Sequence, residues 1–135
     1  MSYELEAEAL FGVDRPRQTT LVDTVVAFIY IRLAKQILVK DLENFEKGLV
    51  SVKYPDVYLR RLRASLACLS EDLHQTKRFF LEHSIRVTET PTDVHESSVL
   101  YQYWIGGQTG FTGSSAHVMR KQVKRYVQYY FTERV

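Results

Sequence analysis

The stretch PDVYLRRLRASLACLSEDLHQTKRFFLEHS, residues 55–84, decides the fold. Within it Leu59, Leu62, Leu66, Leu69, Leu73, Thr76 and Phe80 recur at alternating steps of three and four. That spacing keeps side chains on one seam of an α-helix, and a seam held over three heptads requires a facing helix. Pro55 suits the first turn of this helix, where a missing N–H costs nothing. The partner lies just upstream. Thr19 or Thr20 caps a helix expected to run to about Lys47, with Gly48 as its stop. The short connection, Val50 to Tyr54, favours antiparallel packing at a shallow angle, so residues 17–84 read as a long helical hairpin.

The first helix carries more apolar surface than one seam covers. Leu21, Val25, Val26, Phe28, Ile29, Ile31, Leu33, Ile37 and Leu38 spread over more than one face, and only toward Leu42, Phe45 and Leu49 does the stripe narrow. A helix apolar on two faces is sandwiched between elements or sits in an interface. Its surplus must be covered by the C-terminal third, a second subunit or a partner.

After Ser84 the pattern changes. Ile85-Arg86-Val87-Thr88-Glu89-Thr90 alternates and is β-branched, Pro91-Thr92-Asp93 supplies a turn, and Ser98 to Ile105 gathers strong β-formers. A β-hairpin follows. A competing reading caps a helix at Thr92 or Asp93 and ends it at Gly106-Gly107, with Val94, Leu100, Tyr101 and Trp104 on one face. Residues 106–113 then read as a glycine-rich loop, and Ser114 or Ser115 caps an amphipathic helix to about Thr132. Residues 1–16 admit both strand and helix, and Pro16 ends either. The expected class is mainly α (α+β): a helical hairpin, a small β-hairpin and a C-terminal amphipathic helix, in one domain over 1–135.

Composition narrows the function. At 45% apolar and 25% charged, the 135 residues are those of a globular domain. The lone Cys68 forms no internal disulfide, which sets aside the stapled secreted class and fits a reducing compartment, hence a cytoplasmic expectation. The acidic N-terminus lacks the basic-then-apolar order of a secretory signal. Leu21 to Val39 nears spanning length, but Asp23, Arg32 and Lys35 interrupt it, and mid-membrane charges cost roughly 2.5–3.5 kcal/mol each, so no membrane partner is expected.

Charge is uneven. Residues 1–57 hold seven Lys/Arg against nine Asp/Glu, residues 58–98 six against six. Residues 99–135 hold five against one. Arg120, Lys121, Lys124 and Arg125, with His117, form a compact basic stripe on the last helix, suited to nucleic-acid phosphates or an acidic protein. Trp104, Tyr129 and Phe131 are candidates to stack bases beside it, and Arg60, Arg61 and Arg63 to extend it. The plain alternative is a solvated face.

The glycine segment resembles places where backbone N–H groups hold phosphate, but Gly113-Ser114-Ser115 lacks the lysine of a phosphate loop. A turn and helix cap is the plainer reading, with Gln108 and Phe111 at its tip as partner contacts. Glu71 and His74 have the Glu-x-x-His spacing of di-metal bundles but no second pair, so neither metal nor cofactor is expected. Cys68 reads as a small core hydrophobe, and no catalytic motif occurs, so the expectation is not an enzyme. What remains is an intracellular regulatory or adaptor protein binding a protein partner or itself as a homodimer. Nucleic-acid binding by the basic helix is the alternative, and anion or nucleotide binding at the glycine segment a weaker one.

Overall fold

A computed structural model of the protein describes residues 18–95 and 98–134, with residues 18, 19 and 93–95 followed in the backbone alone. The readings of residues 1–16 concern chain outside this range. Helix α1 spans Gln18–Glu46 and α2 spans Pro55–Glu82. Strands β1 (Ile85–Val87), β2 (Asp93–His95), β3 (Ser98–Ile105) and β4 (Gln108–Ser115) follow, then α3 (Ala116–Gln128) and a π-helical turn, Tyr129–Glu133. This is the mainly α, α+β arrangement that the sequence implies.

The hairpin forms as its punctuation directs. Gly48, at φ +71°, ends α1. Its N–H reaches the Phe45 carbonyl at 3.1 Å and the Leu49 N–H the Asn44 carbonyl at 2.9 Å, the paired bonds of a Schellman stop. Pro55 occupies the first turn of α2. The seam residues Leu62, Leu69, Leu73, Thr76 and Phe80 are buried, Leu59 and Leu66 half-buried. Three buried hydroxyls lie within the hairpin: Thr24, Ser65 and Thr76. Each donates to the carbonyl four residues back (Thr20, Arg61, Asp72) at 2.7–2.8 Å, which satisfies it without spreading the helices. The start of α1 differs from expectation. Gln18 is already helical, so Thr19 and Thr20 lie within α1 and neither is its cap.

The sheet is built on β3. Along its whole length β3 pairs antiparallel with β4, and its other edge is shared by β1 and β2. Val87 lies opposite Tyr103 and Asp93 opposite Leu100. Six steps along the edge thus face three along β3, and the surplus includes Pro91, which has no N–H for a ladder. A bulge on an edge strand is where such a residue fits. The helical alternative for residues 93–105 is ruled out, because Ser98–Ile105 forms the central strand.

The segment expected as a glycine loop is corrected as well. Gly106 and Gly107 make a two-residue turn, Gly106 at φ +62° in the left-handed position that hairpin turns favour. Residues 108–115 are strand β4, not loop. Two of its glycines answer to packing. A side chain at Gly113 would collide with the Val99 carbonyl, and one at Gly110 with the Tyr103 ring. Low intrinsic β-propensity is overridden by eight paired positions.

Around α1 the elements close from three sides. Phe28 meets Phe80 of α2 with ring centroids 4.8 Å apart, and Tyr30 stacks on Tyr126 of α3 at 5.4 Å. Arg32 donates to the Thr88 carbonyl at 2.8 Å, and its guanidinium lies over the Phe28 and Tyr101 rings. Leu21, Val25, Phe28, Ile29, Ile31, Ala34 and Leu38 join Leu69, Leu73, Tyr101, Ile105, Met119 and Val123 in one core. Most of the surplus apolar surface of α1 is therefore covered by the C-terminal third of the same chain.

At the far end, Tyr130 donates to Asp72 at 2.6 Å, and Arg134 pairs with the same carboxylate at 3.4 Å. Burial, and then the bond to Asp72, push the Tyr130 hydroxyl well above the usual tyrosine range. Arg61 donates to the carbonyls of Phe131 and Thr132, closing the helix end that the sequence places at Thr132. The α-helix itself stops at Gln128, and the last turn widens to π geometry.

Gly113→Ala should destabilise the protein by about 1–3 kcal/mol in urea unfolding, since backbone must move to admit the methyl. Gly110→Ala should cost less, because the Tyr103 ring can swing aside. Equal costs for the two would contradict this packing account.

Candidate functional site

Ser115 caps α3 through its hydroxyl, which accepts from the Val118 N–H at 3.2 Å. From that start the helix lays Met119, Val123 and Tyr126 into the core and leaves His117, Arg120, Lys121, Lys124 and Arg125 exposed. None of these five takes part in a salt bridge among the described residues, where Arg134–Asp72 is the one ion pair. The basic stripe expected from the sequence exists, unneutralised by this chain's described carboxylates.

The aromatic partners expected beside it are elsewhere. Tyr101 and Ile105 of β3 are buried in the core, so the alternating residues Trp104 and Gln102 belong to the opposite face of the sheet. Phe111, opposite Gln102 in the register, shares that outer face and is 58% exposed. Trp104 is covered by the guanidinium of Arg86, 4.9 Å from its ring centroid. Tyr129 is buried, and Phe131 stacks on Tyr58 of α2 at 6.4 Å. Gln108 is exposed at the hairpin turn. The candidate residues thus divide into two surfaces: the outer sheet face with Trp104 and Phe111, and the α3 stripe. Of the α2 arginines, Arg61 is committed to the helix end, while Arg60 and Arg63 are exposed.

Sequence reasoning did not identify the groove beside the stripe. It is a cavity of about 690 Å³ between α1, β3 and α3. Leu33 and Ile37 form one wall, Val99 and Tyr101 the floor, and Met119, Val123 and Val127 the other wall. Arg120 and Lys124, one helical turn apart, stand on its rim. Ile37 is 42% exposed, whereas Leu38 beside it is buried. Part of the surplus of α1 is thus left uncovered around Leu33 and Ile37. A narrower cleft of about 270 Å³, lined by Val26, Ile29 and Tyr30, shares Tyr101 and Met119 with the groove. The signal in the sequence was the apolar pair Leu33 and Ile37, four apart and off the α2-facing stripe. It could be read only as surplus until the position of α3 was known.

Burial raises the hydroxyl pKa of Tyr101, against the opposing pull of Arg32, and lowers that of Arg32 itself. Arg32 Nε and Thr88 Oγ1 are buried without a hydrogen-bond partner among the described residues. Glu71 and His74 are both exposed, and no three His, Cys, Asp or Glu side chains among the described residues gather as a metal site would need. Cys68 is a half-buried free thiol packed on the core. Among the described residues, no helix is long and apolar enough to cross a membrane.

No curated protein and no solved structure matches the chain. The family model described as YhjD protein matches residues 17–135, from the start of α1 through the π-helical turn. That match covers the hairpin, the sheet and the basic helix together, and the chain belongs to the YhjD protein family.

Proposed function

We propose that this protein is a small intracellular regulatory or adaptor module that acts by docking a protein segment, without catalysis, in the groove between α1, β3 and α3. The observation that carries the reading is the pairing of an apolar trough with rim cations that have no ion-pair partner among the described residues. Exposed apolar surface of this kind marks an interaction site, and the cations select the charge of what enters. The segment that fits is an extended or helical peptide alternating apolar and acidic side chains. A second copy of the chain is one source of such a segment. The case for a broad homodimer interface along α1 is weaker than its sequence implies, since most of that face is already buried.

A second reading has its own support. Lys121 and Arg125 belong to the stripe but not to the groove lining, and with Arg120, Lys124 and His117 they form an exposed cationic row open to nucleic-acid phosphates. Against it, the aromatic side chains that would stack bases are buried, covered or on the other sheet face.

One pair of titrations separates the readings. A synthetic peptide alternating leucine with glutamate should shift the amide resonances of Leu33, Ile37, Val99, Val123 and Val127. The double variant Arg120→Glu/Lys124→Glu should weaken it by about three- to tenfold, the range for reversing partly exposed charges. Lys121→Glu/Arg125→Glu should leave it nearly unchanged. Shifts scattered away from the groove, or equal binding of a leucine–lysine peptide, would defeat the docking reading. Duplex DNA should bind weakly if at all. If it binds with a log–log salt slope of about −3.6, as four phosphate contacts would give, and Lys121→Glu/Arg125→Glu removes that binding, the second reading prevails.

A further inference from the structure

We propose that the groove continues into a cation-binding subsite at Asp41, which takes an arginine side chain at one end of the docked segment and so fixes the segment's direction. The inference rests on the reading of the groove as a peptide site and adds a second element of recognition to it.

Geometry is the first argument. Val127 and Gln128 line the groove on one side and, on the other, a second cavity of about 280 Å³. Ile37 in the groove and Asp41 in the cavity are one turn apart on α1, so one strip of that helix serves both. The cavity is smaller than the roughly 300–1,000 Å³ of small-molecule sites, a size that suits a single side chain.

Chemistry is the second argument. Phe45 of α1, Tyr58 of α2 and Phe131 of the π-helical turn form a stacked row along the cavity. Their centroids are 6.0 and 6.4 Å apart and their planes 16° and 20°. Asp41 is the one charged side chain among the described residues that line it, and none of the described cations forms an ion pair with it. Burial pushes its carboxyl up from the ordinary value, as expected of a charge short of solvent. A carboxylate beside aromatic rings suits a guanidinium, which bonds the acid through its fork and stacks on the rings through its face. The row already accepts one from this chain: the Arg61 guanidinium lies 6.0 Å from the Phe131 centroid. The donors of Arg61 go to the Phe131 and Thr132 carbonyls and leave Asp41 to another cation.

The order of charges is the third argument. Arg120 and Lys124 stand on the groove rim, eight and four residues before Gln128, or about 12 and 6 Å at 1.5 Å per residue. Asp41 lies on the far side of Gln128. The trough is therefore positive toward the start of α3 and negative toward its end. A segment that is acidic, apolar and then basic matches it in one direction, and reversal sets each charge against its like.

Titrations of the full chain, followed by amide resonances, test this with three end-blocked peptides. One is the alternating leucine–glutamate peptide, and the others add a single arginine at its N-terminal or its C-terminal end. One of the two arginine peptides should bind about three- to tenfold more tightly than the parent, as a partly exposed ion pair with ring contact would give. It should also add shifts at Asp41, Phe45 and Tyr58. Asp41→Asn should remove the gain and leave the parent peptide's affinity unchanged. Tyr58→Leu, which keeps an apolar wall without the ring, should reduce the gain, and citrulline in place of the arginine should abolish it. The inference is overturned if neither arginine peptide gains, if both gain equally, or if the gain survives Asp41→Asn. Groove shifts with the parent peptide but no gain from arginine would refute the subsite and keep the docking site. Shifts confined to Asp41, Phe45 and Tyr58, and lost in Asp41→Asn, would keep the cation site and refute docking in the groove. No shift with any of the three would refute both.

Discussion

A helix with apolar side chains around most of its circumference cannot stand at the surface of a protein in water. From Thr24 to Ala34, α1 buries eight of its eleven positions, only Val26, Arg32 and Leu33 departing from that pattern. Every other element is placed by the need to cover this segment. The seam of α2 covers one side, the inner face of β3 a second, and Met119, Val123 and Tyr126 of α3 the third. Small residues at Ala27 and Ala34 leave room for close approach. Even the one charge embedded there, Arg32, is held by a carbonyl of the sheet edge and two aromatic rings.

The parts of the fold that follow from local rules could be read from the sequence. The α2 seam, the Gly48 stop, Pro55 at the helix start, the Ser115 cap and the basic face of α3 each depend on a few neighbouring residues. Where a distant contact decides, the sequence was silent or misleading. Residues 108–115 look like a loop because glycine is a poor strand former in isolation. They are a strand because all eight positions pair with β3, and glycine stands at 113 and 110 because Val99 and Tyr103 leave no space there for a larger side chain. The division of the edge into β1 and β2 depends on a bulge at Pro91 that alternation alone does not reveal. Arg61 reads as part of a basic run, yet it closes a helix end seventy residues away in the chain.

The same limit governs the site. The cations of α3 were legible because they share one helix face. The groove was not, because its walls come from three elements whose separation in sequence hides their contact. Its chemistry is nonetheless simple: an uncovered remnant of the α1 surplus, enclosed by α3 and edged by charges that find no partner among the described residues. Trp104 and Phe111, grouped with those charges by sequence alone, lie across the sheet from them and form a separate surface.

The central claim is that α1 is held by the C-terminal third as firmly as by α2, so that hairpin and sheet are one cooperative unit. Native-state hydrogen exchange measures this most directly. The account predicts that amides of residues 25–34, of the β3–β4 ladder and of α2 around Leu69 exchange together, through the same global opening. If the α1–α2 hairpin instead stays protected while β3, β4 and α3 open in a separate, lower-energy step, the sandwiching of α1 is not what holds this protein together.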